Sequence, residues 1–200
     1  MTSIILKSKN IKRRSESGKV YFTYSDVENL PEWPDSELLE ILMGELFVVP
    51  SPTIDHQRIS KNIYNLLNEY LIKNKGGEIF YSPIDVILSE ENVVIPDLLF
   101  ISNKNKGIIS KKNINGTPDL IIEILSTNRT RDLVEKKKIY NKYKVKEYWI
   151  IDIEKKQVYV NTLINSDFKE KTYKNLGENI QTNIPELANI ELDLEIIFEI

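Results

Sequence analysis

The chain has no cysteine, a single histidine and no long apolar run. The first absence removes disulfides, zinc–thiolate sites and thiol catalysis together. It fits a reducing compartment, and the cytoplasm is the expected location. The missing apolar run argues against both a secretory leader and a transmembrane helix. An excess of one charge is missing too: 27 Lys and Arg stand against 30 Asp and Glu, a net charge of −3. No global basic field announces a polyanionic partner, although a local basic patch is compatible with that total.

What is present is the make-up of an ordinary globular domain, with 41% apolar and 28% charged residues. Two hundred residues suffice for one domain with a sizeable core. Residues 1–18 are polar and basic without periodicity, so a loosely attached N-terminus ahead of a single domain over 19–200 is expected. Residues 25–35 read as a short helix and a Pro-rich turn. LLEILMGELFVV (38–49) reads as a hairpin turning at Met43-Gly44. From Asp55 to Leu71, the residues Ile59, Ile63, Leu66, Leu67 and Tyr70 recur at helical spacing. Thr53 or Asp55 is placed to cap that helix, and Gly76-Gly77 to end it. Three strands are expected at about 79–88, 93–101 and 119–125, then a helix over about 130–143. EYWIIDI (147–153) and QVYVNTL (157–163) read as two more strands. The tail holds short strand-like pieces, and LDLEIIFEI (192–200) reads as an edge strand on this chain or on a partner. Strands alternating with helices predict an α/β fold, a mixed central sheet flanked by helices.

Four polar residues stand where core residues belong. Asp97, in VVIPDLLFI, shares a strand face with Ile95 and Leu99, unless Pro96 marks a break and puts it at a strand end. Glu123 lies in the apolar run PDLIIEILS, deeper than Asp119, which sits near the strand's start. In RDLVEKKKIYNKY (131–143), Leu133, Ile139, Tyr140 and Tyr143 define an apolar arc, and Lys136 falls inside it. Lys137 lies near the edge and Lys138 points away. Asp132, Lys136 and Tyr140 form one row. His56 falls on the Ile59–Ile63 stripe, where a packing role is the commoner one. An isolated buried carboxylate is expensive, so Glu123 calls for a partner. A hard divalent cation held by oxygen, Mg²⁺ or Mn²⁺, would serve both carboxylates. An adjacent lysine would stabilise charge developing on a phosphate.

VIPDLLFI, GTPDLIIEILS and RDLVEKKKIYNKYKVKEYWIID, in that order and behind LLEILMGELFVVPSP and His56, resemble the Uma2 family, also called DUF820. The resemblance covers roughly residues 20–165. The family is placed in the PD-(D/E)XK nuclease superfamily, so the resemblance implies a restriction-endonuclease-like fold whose core runs helix, three strands, helix, strand. It implies a Mg²⁺- or Mn²⁺-dependent endonuclease acting on DNA, and dimers are common in this fold. Pro96-Asp97 would supply the PD and Glu123 the (D/E). Asp97 and Glu123, with the Ile124 carbonyl, would hold the metal. The superfamily's lysine belongs two residues after the glutamate, where this chain has Leu125. Lys136 is the inward-pointing replacement, and Glu45, Glu40 and His56 are candidate accessory residues. Two other readings stay open: a catalytically inactive nuclease-fold module for nucleic-acid binding or assembly, and a structural salt bridge between Lys136 and Glu123. Lys104, Lys106, Lys111 and Lys112 form a basic loop, commonly just a solvated one.

Overall fold

A computed structural model describes residues 21–28, 38–125 and 131–199. The expected loose segment 1–18 and the Pro-rich turn up to residue 35 lie outside them. The expected short helix is α1 (Tyr24–Glu28).

The hairpin forms as the pattern predicts, with β1 (Leu38–Leu42) antiparallel to β2 (Glu45–Val49). Met43 and Gly44 both have positive φ, 53° and 80°, the backbone a two-residue hairpin turn requires. Helix α2 follows (Ile54–Asn74), capped by Thr53, whose side chain accepts from the His56 amide at 3.2 Å. The left-handed residue that ends it is Lys75, one before Gly76. Its buried stripe is Ile59, Ile63, Leu67 and Leu71. Burying each such side chain contributes about 1.5–3 kcal/mol.

Two expected strands are each cut in two. The 79–88 segment becomes β3 (Gly77–Tyr81) and β4 (Val86–Ser89), and 93–101 becomes β5 (Asn92–Val94) and β6 (Leu98–Ser102). Pro83 and Pro96 sit in the two gaps. A proline offers no N–H to a ladder, so each is where the chain leaves one sheet for another. The rest comprises β7 (Ile114–Asn115), β8 (Leu120–Ile124), a π-helical turn (Arg131–Lys136) running into α3 (Lys137–Lys142), β9 (Glu147–Asp152), β10 (Gln157–Ile164), β11 (Asp167–Tyr173) and α4 (Leu194–Ile197).

The larger sheet has the order β11-β10-β9-β8-β6-β3, and the smaller β2-β1-β5-β4-β7. In the larger sheet β8 and β9 are parallel, joined through the π turn and α3, and the other pairs are antiparallel. One face of the larger sheet, carrying Leu98, Phe100, Leu120, Ile122 and Ile124, packs on α2 and the C-terminal tail. The opposite face, carrying Leu99, Ile101, Ile121 and Leu125, packs on α3 and the smaller sheet. Covering on both faces is why β6 and β8 read as continuous apolar runs. The tail corrects the sequence reading: LDLEIIFEI is no edge strand. Asp193 accepts from the Glu195 amide at 2.8 Å and starts α4, and Asn62 of α2 donates to the carbonyls of Ile196, Ile197 and Glu199. Among the described residues no helix is long and apolar enough to cross a membrane.

Candidate active site

Strand register brings the two carboxylates together. Leu98 of β6 pairs with Ile122 of β8 in antiparallel register, so Asp97 and Glu123 are the next residues outward, where that ladder ends. Asp97 therefore stands at the start of β6, the strand-end alternative left open by Pro96. Its Oδ2 accepts from the Ile124 amide at 2.7 Å and lies 3.2 Å from His56 Nε2. His56 sits in the first turn of α2, aimed at the end of the sheet rather than only into the packing stripe.

Glu123 falls on the face that carries Ile121 and Leu125, towards α3. It is 4% exposed, and its Oε1 accepts from Lys136 Nζ at 2.9 Å and from the Tyr140 hydroxyl at 2.7 Å. Lys136 and Tyr140 reach the same atom because residues four apart share a helix face. Lys136 is also 4% exposed, Lys137 is half-buried and Lys138 is exposed, the gradient the apolar arc predicts. The side chain of Asp132, the third member of that row, lies outside the described residues. Burial, then the Glu123 carboxylate, push the Tyr140 hydroxyl well above its ordinary pKa. Tyr140 thus stays protonated and donates. A π turn at this point is a local irregularity of a kind often found at functional sites.

The smaller sheet supplies a third carboxylate. Glu40 of β1 is fully buried; its Oε1 accepts from the Ile95 amide at 2.9 Å and forms an ion pair with Lys136 Nζ at 2.8 Å. Lys136 Nζ thus lies between Glu40 and Glu123. Glu45, the other acidic candidate of the hairpin, is not brought to this group: it is exposed, beside the turn, and does not line the cleft. β1 pairs Leu42 with Glu45 and Glu40 with Phe47, so the two glutamates sit at different levels of the hairpin. The choice between them depended on how the hairpin docks. A cleft of about 580 Å³ opens over Glu40, His56, Asp97, Glu123 and Lys136. The basic loop is remote from it: Lys104, Lys106, Lys111 and Lys112 follow the far end of β6, none lines the cleft, and Lys104 pairs with Glu186 at 3.1 Å.

The model of the Uma2 family, described as "Putative restriction endonuclease", matches residues 25–195. The chain belongs to the Uma2 family. No curated protein sequence matches it. Among solved structures it is similar to a DUF820 protein from Anabaena variabilis, described as a "putative nuclease": the TM-score is 0.72 at 18% identity, over 88% of this chain and 97% of that one. That likeness carries the fold, and it agrees with the mixed sheets flanked by helices.

In this Uma2 chain, Leu125 occupies the position where the superfamily pattern implies a lysine, and it packs in the core beside Ile139 and Tyr140. The donor types at hand are those a hard cation takes. Asp97 and Glu123 offer carboxylate oxygens and no thiolate competes. Among the same residues, no group of three His, Asp or Glu side chains stands close enough to hold an ion. Lys136 lies between two of the carboxylates.

Asp119 is not the inexpensive strand-start carboxylate that its position suggests. It is 1% exposed and accepts from the Ser102 amide at 2.7 Å, with Lys146 at 2.5 Å. Burial works against its charged form, but Lys146 and the Ser102 amide outweigh it and hold its pKa below the usual value. It stabilises the far end of β8, away from the cleft.

Proposed function

We propose that this Uma2 chain is a Mg²⁺- or Mn²⁺-dependent endonuclease that hydrolyses DNA phosphodiester bonds in the cytoplasm. The observation that carries this reading is that Asp97, Glu123 and Lys136 line one open cleft, with Lys136 on Glu123 and Asp97 on the amide of the next residue, Ile124. Asp97 and Glu123 would hold the metal, which when bound supplies Lewis acidity to the phosphate and an acidified water. The chain's own groups do the rest. His56 and the Ile124 amide fix Asp97 at Oδ2, so its other oxygen keeps one direction. The Lys136 ammonium lines the cleft and would stabilise the negative charge that develops on the phosphoryl oxygens as water adds to phosphorus and the P–O ester bond breaks. Tyr140 orients Glu123 through its hydroxyl. A homodimer would let two such clefts address both strands of a duplex.

A second reading is favoured by one specific contact. Lys136 already pairs with Glu40 and Glu123, so a catalytically inactive module that keeps the fold for nucleic-acid binding or assembly needs no ion. Incubation with supercoiled plasmid separates the two. The nuclease gives nicked product that requires Mg²⁺ or Mn²⁺ and is lost in Asp97→Ala and Lys136→Ala. Folded wild-type protein that leaves plasmid and single strands intact with either metal overturns the nuclease reading.

A further inference from the structure

Glu40 is the member of the cluster that the nuclease pattern leaves without a task. It comes from the smaller sheet, outside the core of helix, three strands, helix and strand. It is fully buried, yet its two oxygens are used unequally. Oε1 accepts from the Ile95 amide and lies 2.8 Å from Lys136 Nζ as its ion-pair partner, whereas Oε2 accepts from no described group although it is buried beside the cleft. A carboxylate placed only to neutralise a lysine would not leave a buried oxygen unsatisfied, because that loses hydrogen bonds to water without replacement.

We infer that Glu40 is a positioning residue, the carboxylate that retains Lys136 when Glu123 is given over to a cation. The inference rests on the metal-dependent reading above. Lys136 carries three N–H donors; one is donated to Glu123 Oε1 at 2.9 Å, and Glu40 Oε1 pairs with the ammonium charge at 2.8 Å. With Glu123 given to a divalent cation, the Lys136 ammonium would lose that acceptor and be repelled by the ion's charge. Glu40 Oε2 would then offer the freed N–H an acceptor, and one carboxylate would hold the ammonium through both oxygens. Its charge stays compensated in the buried site and faces the phosphate instead of competing with the ion. Without Glu40, Lys136 would lose one of its two described carboxylates, and metal and lysine would compete for the other.

The test is a double-mutant cycle on Mn²⁺ affinity, read by calorimetry on the full chain, with melting curves in chelator to confirm that each variant folds. Glu40→Gln keeps the shape and the acceptor for the Ile95 amide. It should weaken Mn²⁺ binding by about tenfold, within the usual range of coupling between contacting residues. In a Lys136→Met background, the same Glu40→Gln change should cost less than about twofold, because no ammonium remains to be retained. Metal-dependent nicking should fall in Glu40→Gln, with the loss in kcat rather than in KM for the plasmid. An equal loss of affinity in both backgrounds would mean that Glu40 acts on the ion directly and would overturn the inference. So would wild-type affinity in Glu40→Gln. Either result leaves the nuclease reading standing, whereas wild-type protein that binds no Mn²⁺ overturns both.

Discussion

Replacing Lys136 by methionine tests whether one ammonium holds the buried carboxylates in place. Lys136 is 4% exposed and lies 2.8 Å from Glu40 and 2.9 Å from Glu123, themselves 0% and 4% exposed. Methionine preserves most of the stem's volume, so the packing loss is small. What goes is the charge. Removing one partner of a buried ion pair costs about 3–5 kcal/mol, because the other is left buried without its counter-charge. Here the Tyr140 hydroxyl still donates to Glu123 and the Ile95 amide to Glu40, which argues for the lower end, about 3 kcal/mol. For a chain of this size that lowers Tm by roughly 6–12 °C. The assay is urea and thermal unfolding by circular dichroism at neutral pH in chelator, with the m-value checked for constancy. A second variant guards the interpretation. Lys136→Met combined with Glu40→Gln and Glu123→Gln should recover most of the loss, since neutralising a whole buried ion network is often nearly neutral. A loss in Lys136→Met under about 1 kcal/mol would refute the account, because a buried carboxylate pair robbed of its cation cannot be that inexpensive.

Two further outcomes follow from the same geometry. Asp97→Ala removes the acceptor of the Ile124 amide and should cost about 1–3 kcal/mol in urea unfolding; it should also abolish the rise in melting temperature that Mn²⁺ gives the wild type, and a persisting rise would move the ion elsewhere. Asp119 has a lowered pKa in the folded chain, so its stabilisation is complete above the unfolded value of about 3.9 and is lost as pH falls through the lower folded value. Lys146→Met should therefore bring acid unfolding to a higher pH, at a cost near neutrality of only about 0.5–1 kcal/mol because Lys146 is half exposed; an unchanged acid limb would show that the Ser102 amide alone sustains the shift.

Much of the site was legible because it broke local patterns. Glu123 interrupts an apolar run, and Lys136 interrupts an apolar arc. Both anomalies turn out to be one contact. Glu40 carried no comparable signal. It alternates in the hairpin with Leu39 and Ile41, as a solvent-facing residue would, and its burial comes from what the hairpin docks against. Glu45 looked equivalent and ended beside the turn. The misreading of 79–88 and 93–101 has a different origin. Each is apolar enough to be one strand, and only Pro83 and Pro96 hinted at the breaks. The tail misled because Leu, Ile and Phe suit a strand or a buried helical turn alike, and Asp193 was its one capping signal.

The sequence by itself determined the α2 stripe, the Met43-Gly44 turn, the runs of β8, β9 and β10, and the inward side of the segment around Lys136. Each follows from periodicity or local backbone preference, which neighbouring residues alone enforce. Tertiary structure decided the rest: which sheet each half-strand joins, which glutamate of the hairpin faces the cleft, and that His56 meets Asp97. Those depend on how two sheets and a helix pack, and packing joins residues whose separation in the chain leaves no periodic trace.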